Sequence, residues 1–478
     1  MRKIATKILC LFVILTLFFV LAMLYLWREG EYQRGFANID NSEFYRSPEG
    51  KIYVQISGSG KYELKGVDEA SFRVLKLKHA YDYSNVAADK NSVYCAREIL
   101  PGLDPKSTKV LGNGYLSDGK ISYYCATRSE KEAEFGAIMK NLVHVFIKSY
   151  DDSPYFYRTK RVESTNLEPI FDAGFARDGG TLYYKGEKLD ADPSELRYIT
   201  AENGAPSGYY TDGKSLFLGF YKLDMSYTDE VRQICYDAKH DIEYLFEPKS
   251  GAVFANELKF SAQNMPYSAI YSVDNVHSFW PLFASKDGIY FWDSSKNEQA
   301  KISDYQLKGE LKRLYADVFV DESSAYFLQQ GEEWRRSKHG RHLVAQTVSL
   351  YKFATSSSWR KIGLVKDGEY GAVYANGDKV YFFSNIKPFY GIKHSVYEVA
   401  DLGVIEILTR ASKELSAKDI SGMIKRGELV EASGEEVARS RIEYDSPKII
   451  LYITFGIAFV VIVLTTLAKP KRDERDLR

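Results

Sequence analysis

The chain has few of the features that mark disordered, collagenous or nucleic-acid-binding proteins. Only 13 of its 478 residues are proline and 34 are glycine, which argues against disorder and collagen-like repeats. Lysine plus arginine and aspartate plus glutamate balance at 64 each, so the net charge indicates no nucleic-acid partner. Gly-x-Ser-x-Gly and His-Glu-x-x-His motifs are absent, and they are the commonest local signs of hydrolases. We therefore predict no catalytic residue, no metal site and no cofactor.

Long uncharged apolar runs are also scarce, and two of them have the length of a membrane span. Residues 8–27 and 449–468 each contain no charged residue, and about 20 helical residues cross a bilayer core of roughly 30 Å. Basic residues precede the first run and follow the second, which predicts that both tails are cytoplasmic. Tyr444, Lys448 and Tyr452 are expected to anchor the second span at the interface. A cleaved signal peptide is the alternative for the first run, although the run is long for that role.

The region between the two runs is dominated by a repeat. A turn containing aspartate is followed by an aliphatic residue and then by one or two aromatic residues. The clear copies are residues 89–94, 118–124, 178–184, 212–217, 287–291 and 377–382. Weaker copies are residues 50–53, 152–156 and 321–327, and degenerate copies are residues 241–244 and 349–351.

Each copy predicts a β-hairpin. Asp-Gly and related pairs tolerate the backbone of tight turns, and the residues that follow favour strands. Isolated hairpins are unstable, so neighbours must stack. We predict an all-β repeat domain that is β-propeller-like, with roughly six or seven blades, flanked by two transmembrane helices. An open hairpin solenoid is the alternative.

A second element lies between the turns and completes the pattern. It reads GLDPKSTKVL at residues 102–111, and residues 66–75 and 191–196 are similar to it. Asp89-Lys90-Asn91 followed by residues 100–105 (LPGLDP) resembles the bacterial DKNYY repeat family, most closely over residues 66–127 and 174–199. The resemblance implies repeats and an envelope location, and it transfers no active site. Together with the spans, it predicts a protein of the bacterial inner (cytoplasmic) membrane whose main domain is periplasmic or extracytoplasmic.

The chain is accordingly divided into seven segments. These are a cytoplasmic tail (1–7), a transmembrane helix (8–27), a linker (28–47), the β-repeat domain (48–408), a juxtamembrane stalk (409–448), a second transmembrane helix (449–468) and a second cytoplasmic tail (469–478). The stalk is assigned because residues 412–440 are charged and carry Leu415, Ile420, Met423, Ile424 and Leu429 at roughly helical spacing.

Two of the four cysteines occupy equivalent places in consecutive repeats. Cys95 follows Tyr94, and Cys125 follows Tyr124. Stacked repeats can bring such positions to the Cα separation of about 5.5 Å that a disulfide needs, and an extracytoplasmic compartment would be oxidising. One interpretation is a Cys95–Cys125 disulfide. The other is that the two cysteines are simply small residues in matching core positions.

The densest basic cluster outside the tails is a candidate binding surface. Arg335, Arg336, Lys338 and Arg341 lie within eight residues of one another, together with His339 and His342. A solvated loop is the simpler interpretation. The functional interpretation is a contact for phosphate, an anionic glycan or a lipid headgroup. Two histidines without a third ligand predict no metal site.

These observations favour a membrane-anchored binding or scaffolding module without catalysis. Its expected partners are the lipid bilayer and an envelope protein or glycan. The alternative is a propeller-type envelope enzyme acting on glycans, which would require two carboxylates about 5–10 Å apart. An aromatic-lined pocket with paired carboxylates would favour the enzyme, and a shallow polar surface would favour binding.

Overall fold

The computed structural model describes residues 35–57, 60–76, 84–131, 155–172, 174–201, 204–272, 279–337, 340–386, 394–409 and 415–444. These residues form mainly short antiparallel strands, in seven four-stranded sheets, two five-stranded sheets and one two-stranded sheet. The prediction of a β-rich repeat domain is confirmed at this level. We number the nine larger sheets 1 to 9 in chain order.

The strands of the nine sheets are as follows. Sheets 1 to 4 comprise Ala37–Asn38, Phe44–Arg46, Ile52–Ile56 and Gly60–Glu63; Arg73–Val74, Val86–Ala88, Val93–Cys95 and Glu98–Ile99; Lys109–Gly112, Tyr115–Ser117, Ser122–Cys125 and Thr159–Val162; and Glu168–Pro169, Phe175–Asp178, Thr181–Tyr184 and Glu187–Leu189. Sheets 5 to 7 comprise Arg197–Thr200, Pro206–Thr211, Ser215–Leu218 and Tyr221–Ser226; Arg232–Asp237, Ile242–Glu247, Ala252–Ala255 and Leu258–Lys259; and Ser268–Ile270, Leu282–Ser285, Gly288–Asp293 and Glu298–Ser303. Sheet 8 comprises Lys312–Tyr315, Val318–Val320, Ser324–Ser337, Gly340–Thr355 and Glu435–Glu443, and sheet 9 comprises Trp359–Val365, Gly371–Asn376, Lys379–Ser384, Val396–Val399 and Leu429–Glu431.

The remaining elements are few. Glu130–Lys131 pairs with Tyr155–Phe156 in the two-stranded sheet. Helices α1 (Gly403–Thr409) and α2 (Ala417–Arg426) lie between the last two strands of sheet 9 along the chain, and two 3-10 turns span Ala262–Asn264 and Lys366–Gly368.

The repeated turn joins the second and third strands of a sheet. In sheet 2, the Asp89 carboxylate accepts hydrogen bonds from the backbone N–H groups of Asn91 and Ser92, each at 2.7 Å. Asp118 in sheet 3 does the same for Lys120 and Ile121. The carboxylate satisfies turn N–H groups that the strand ladder leaves unpaired.

The two halves of the sequence motif are joined by a hydrogen bond. The backbone N–H of Asp104, in the second element, donates to Asp118 Oδ2 at 3.0 Å. The N–H of Asp68 donates to Asp89 Oδ2 at 2.7 Å, and that of Asp192 to Asp212 Oδ2 at 3.3 Å. The second element recurs because it supplies the donor that fixes the turn aspartate.

Each repeated turn belongs to a sheet of its own, so the sheets outnumber the six or seven blades expected from the sequence. The hairpin around the turn is extended by outer strands that are short and weakly patterned. Arg73–Val74 and Glu98–Ile99, for example, are two residues each. Strands of that length give no periodic pattern in the sequence.

Three of the weaker repeat copies lie elsewhere in the fold than predicted. Residues 349–351 lie inside the long strand Gly340–Thr355, and residues 155–156 belong to the two-stranded sheet. The turn of sheet 6 is formed at Glu247 instead of at residues 241–244, and its carboxylate accepts the N–H groups of Lys249 and Ser250 at 3.1 and 2.6 Å. Because glutamate takes the place of aspartate in this turn, the motif search did not find this copy of the repeat.

The described residues form two compact units, one extending to Arg197 and including Tyr210–Tyr221, the other comprising Tyr198–Tyr209 and the chain from Lys222 onward. In the first unit, one core cluster contains residues of sheets 1, 2 and 3, and another contains residues of sheets 3 and 4. In the second unit, the largest cluster surrounds Trp280 and Phe283 and includes residues of sheets 6, 7 and 8. Sheets that follow one another in the sequence therefore bury apolar faces together.

The predicted stalk is an integral part of the domain. Helix α2 begins at a capping box formed by Ser416 and Asp419 and ends at Gly427, whose φ is +76°. Its apolar residues Ile420 and Met423 are buried in a cluster with sheet 9. The helical spacing was therefore correctly predicted, but its apolar face packs against the repeat domain. Residues 435–443 form the fifth strand of sheet 8.

The predicted linker is also part of the domain where the structure describes it. Ala37–Asn38 and Phe44–Arg46 pair with each other in sheet 1, and Phe44 is fully buried. The segment lacks the repeat motif, so its strands were not visible in the sequence.

Both predicted membrane spans, residues 8–27 and 449–468, lie outside the described ranges. Within those ranges, every helix is too short or too polar to cross a bilayer.

Candidate functional site

A long hairpin in sheet 8 carries the predicted basic cluster. Its strands, Ser324–Ser337 and Gly340–Thr355, have 14 and 16 residues. The base of the hairpin is covered by strand Glu435–Glu443, which pairs with residues 345–352. The outer part, residues 334–337 and 340–343, pairs only with itself among the described residues. We call this outer part the ribbon.

The base of the hairpin is fixed by a buried contact between distant parts of the second unit. Ser440 Oγ accepts a hydrogen bond from Trp280 Nε1 at 2.8 Å and donates to the carbonyl of Val348 at 3.0 Å. Ser440 and Val348 are fully buried, and Trp280 is nearly so. The ribbon therefore extends from a well-packed base.

Residues Trp334, Arg335, Arg336 and Arg341 form what we call the basic tip. Trp334 is 53 % exposed, and the three arginines are also exposed. Arg336 lies directly opposite Arg341, and Trp334 lies opposite Leu343. Because side chains two apart on a strand share a face, Trp334, Arg336 and Arg341 lie on one face of the ribbon.

The arginines of the basic tip lack acidic partners. Arg335, Arg336 and Arg341 have no hydrogen bond or ion pair with a side chain in the described part of the chain. Two like charges directly opposite each other destabilise an antiparallel pair, so Arg336 and Arg341 repel each other. An anion placed between them would relieve this repulsion.

The two nearby glutamates are engaged by other groups. Glu333 Oε1 accepts a hydrogen bond from Arg441 Nη1 and lies 3.9 Å from Arg439 Nη2. The hydrogen bond from Arg441 lowers the pKa of Glu333. Glu332 accepts hydrogen bonds from Trp334 Nε1 and Gln346 Nε2, each at 3.0 Å. Glu333 thus supports the base of the ribbon and Glu332 holds the Trp334 indole, so neither acid is paired with an arginine of the basic tip.

The structure brings three of the four predicted binding residues together. Lys338 and His339 lie outside the described residues. His342 is half-buried and lies opposite Arg335. No group of three metal-binding side chains occurs among the residues that the structure describes.

The last described residue, Tyr444, lies beside the ribbon. The N–H of Tyr444 donates to the carbonyl of Val344. The Tyr444 ring stacks on His240 with centroids 5.6 Å apart, and Lys239 Nζ lies 3.2 Å from the centroid of the Tyr444 ring. Burial raises the pKa of Tyr444. Tyr444, predicted as an interfacial anchor of the second span, is therefore packed into the domain.

The hydroxyl of Tyr444 continues this cluster. It donates to Gln346 Oε1 at 2.5 Å and lies 3.2 Å from His240 Nε2. His240 Nδ1 lies 2.6 Å from Asp237 Oδ2. Burial lowers the pKa of Lys239. This cluster could not be predicted from the sequence, because His240 and Tyr444 are separated by about 200 residues along the chain.

Cys95 and Cys125 form a disulfide in the first unit. Their Cα atoms are 5.9 Å apart, and both residues are buried at the end of the third strand of sheets 2 and 3. The structure thus joins the equivalent repeat positions that the sequence pointed to. Cys235 is a free, buried thiol whose pKa is raised by burial, and Cys10 lies outside the described ranges.

An open groove of about 720 Å³ lies beside the turns of sheets 3 and 4. Its charged lining residues are Lys120, Arg161, Glu163 and Asp178, and no aromatic residue is among its eight lining residues. Asp178 Oδ2 accepts a hydrogen bond from Ser164 at 2.8 Å. The groove has the polar, non-aromatic lining expected of a binding surface.

Two of the buried turn aspartates, Asp89 and Asp321, are occupied by hydrogen-bond donors. Asp89 accepts hydrogen bonds from three N–H groups and from the Tyr94 hydroxyl at 2.9 Å. Asp321 accepts three N–H groups and the Tyr326 hydroxyl in the same way. These contacts use the oxygen lone pairs that a calcium ion would require.

Residues 44–222 match the model of the DKNYY family, which confirms the resemblance found in the sequence. The match extends from the second strand of sheet 1 into the last strand of sheet 5. The same plan of antiparallel sheets continues in sheets 6 to 9, beyond the matched residues. Comparisons with curated proteins and with solved structures gave no match.

Proposed function

We propose that this chain is a membrane-anchored repeat protein of the bacterial envelope that acts as a binding or scaffolding module. In this proposal the repeat domain lies on the extracytoplasmic side, and a helix at each end of the chain holds it at the inner membrane. The two uncharged apolar runs and their cationic outer flanks support the topology. The Cys95–Cys125 disulfide is in keeping with an oxidising compartment.

The observation that carries the binding part of the proposal is the basic tip. Arginine and tryptophan, whose side chains are exposed on the ribbon, are residue types that dominate binding surfaces. The groove between the turns of sheets 3 and 4 is open and polar, which favours binding over cleavage of a glycan. An envelope protein or glycan is the expected partner of the repeat domain.

A propeller-like arrangement of the sheets is the finer part of the proposed fold. Four-stranded antiparallel sheets that bury their faces against the next sheet are the units from which propellers are built. An open solenoid of the same sheets is the alternative. Electron microscopy of the full-length protein in detergent would distinguish a closed ring from an elongated array.

The proposed topology predicts the accessibility of both termini and of two surface turns. A reporter active only in the cytoplasm should function at either terminus. It should be silent when inserted between Gly179 and Gly180 or between Gly377 and Asp378, because both turns have open space around their glycines. The check is reporter activity in intact cells.

Expression controls decide whether silence is informative. A second set of variants carries, at the same positions, a reporter that is active only outside the cytoplasm. That reporter should be active at the two turns. Cytoplasmic activity from either turn would overturn the topology. Hydrolysis of an envelope glycan that is lost in Glu163→Gln and Asp178→Asn variants would overturn the non-enzymatic proposal.

A further inference from the structure

The ribbon and the end of the described chain point in the same direction. Strand Glu435–Glu443 runs antiparallel to Gly340–Thr355, with Glu443 opposite Ala345. Beyond Ala345, which is fully buried, the hairpin continues for five residues to Gly340. At about 3.4 Å per residue, the end of the described hairpin lies roughly 17 Å beyond Ala345, and the basic tip lies roughly 7–14 Å beyond it. The last strand therefore ends beside the base of the ribbon, heading toward its tip.

The distance from Tyr444 to the second apolar run is similar to the length of the ribbon. Residues 445–448 separate Tyr444 from Ile449, where the run begins. An extended chain covers at most about 3.3–3.6 Å per residue, so this segment spans up to roughly 17 Å. A bilayer surface at Ile449 is thus within reach of the basic tip.

The basic tip has the side chains that an anionic membrane surface binds. Arginine donates several hydrogen bonds to a phosphate group, and tryptophan favours the headgroup region. Arg336 and Arg341 lie directly opposite each other without an acidic partner among the described residues, and Trp334 lies on the same face. A phosphate between the two guanidinium groups would offset their repulsion.

We propose that the basic tip binds the anionic lipid headgroups next to the second apolar run. The contact would make a second attachment to the membrane, and it would hold the repeat domain in one orientation above the bilayer. This inference rests on the proposed function, because it requires that residues 449–468 span the membrane. Each basic group near an anionic surface changes partitioning about fivefold, so the three arginines favour contact strongly.

The test is the depth of Trp334 in membranes of two compositions. The full-length protein is reconstituted into nanodiscs of phosphatidylcholine alone or mixed with phosphatidylglycerol, with bromine on the upper acyl chains as a quencher of tryptophan fluorescence. The difference between the wild-type protein and Trp334→Phe isolates the Trp334 emission from that of the other four tryptophans, Trp27, Trp280, Trp292 and Trp359. We expect quenching of Trp334 to be about threefold greater in the anionic nanodiscs, and to weaken at high salt.

A charge-matched control separates the basic tip from general attraction. The variant Arg335→Gln, Arg336→Gln, Arg341→Gln should lose the excess quenching in anionic nanodiscs. The variant Arg128→Gln, Arg360→Gln, Lys361→Gln removes three exposed charges from other surfaces and should retain it. If the tip variant does not fold, the test still rests on two folded proteins. The Trp334 quenching obtained from the wild-type protein and Trp334→Phe is then compared between the two lipid compositions.

Failure of the lipid contact can be distinguished from failure of the proposed membrane anchoring. Extraction of the protein from membranes by alkaline carbonate would refute the anchoring itself. If the protein resists extraction, equal quenching of Trp334 in both lipids, or unchanged quenching in the tip variant, would overturn the lipid contact alone. A tip that binds an envelope protein or glycan instead would give that second result.

Discussion

The residue on which the repeat depends most is the turn carboxylate. Burial alone would raise the pKa of Asp89, but hydrogen bonds from the N–H groups of Asp68, Asn91 and Ser92 outweigh it and leave the pKa lowered. The side chain has no exposed surface. By contrast, Asp378 lies in the turn of sheet 9, is exposed and makes no hydrogen bond through its side chain among the described residues. The same motif residue therefore has different energetic weight in different sheets.

The contrast predicts the effect of Asp89→Asn. The amide nitrogen that replaces Oδ2 would face the N–H of Asp68, so two donors would meet. We expect a loss of about 2 kcal/mol in the free energy of unfolding at neutral pH, the usual cost of an unsatisfied buried hydrogen bond to a charged group. Chemical denaturation measures it. Asp378→Asn is the matched control and should change stability by less than about 0.5 kcal/mol.

The lowered pKa fixes the pH at which this difference disappears. An aspartate whose pKa is lower in the folded protein contributes stability above its unfolded pKa of about 3.9, and the contribution is lost as pH falls through the folded pKa. The difference between the wild-type protein and Asp89→Asn should therefore be constant above about pH 5 and shrink below about pH 4. A difference that is unchanged down to pH 3 would mean that the charge of Asp89 is not what the turn requires.

At the scale of the element, the question is which faces of a strand are covered. Because consecutive side chains of a strand point to opposite faces, the Tyr-Tyr pairs of the repeat predict one ring in the core and the other facing out or lining a channel. Tyr123 and Tyr124 do point to opposite faces, since they belong to different core clusters. Yet both are buried, at 6 % and 4 % exposure, because sheet 3 is covered on both faces. The alternation is confirmed, and the exposure of one ring is wrong for this pair. In the other pair, Tyr183 is buried and Tyr184 is half-buried.

Both tyrosines should therefore be costly to truncate. We expect Tyr123→Ala and Tyr124→Ala each to lower the free energy of unfolding by about 3–5 kcal/mol, as for other buried aromatic residues. Tyr123 also donates a hydrogen bond to the carbonyl of Pro101 at 2.9 Å. Tyr221, which is 60 % exposed, is the control, and Tyr221→Ala should cost little. If the free energy of unfolding of either core variant equals that of Tyr221→Ala, one face of sheet 3 is not packed in solution.

The elements that could be predicted from the sequence are those determined by a short stretch of the chain. The repeated turns and their third strands were predicted because one aspartate and its following aliphatic and aromatic residues determine them. The outer strands were missed, since two-residue strands such as Glu98–Ile99 carry no periodicity. The basic cluster was found by composition, but its position on a ribbon was not, because strand Glu435–Glu443 defines the base from about 90 residues away.

At the scale of the whole molecule, the last described strand completes the second unit. Its residues alternate between exposed and buried positions, with Ser440 and Ile442 in the core. Without it, the Trp280 indole N–H would lose its partner, and the strand Gly340–Thr355 would have an open edge. Buried donors without a partner and exposed apolar edges both destabilise a fold. The domain thus requires residues that a stalk would make dispensable.

Two truncated chains test this requirement. Residues 35–444 should form a protease-resistant domain with a cooperative unfolding transition, whereas residues 35–434 should be degraded rapidly and aggregate, because the buried residues Val348 and Leu350 lose their cover. Limited proteolysis and thermal unfolding provide the measurement. Ser440→Ala in the longer chain is the milder comparison, with an expected cost of about 1–3 kcal/mol from the unpaired Trp280 donor. Equal stability of the two truncated chains would return residues 435–444 to the role of a stalk, and the ribbon would then lack the fixed base from which the basic tip reaches the membrane.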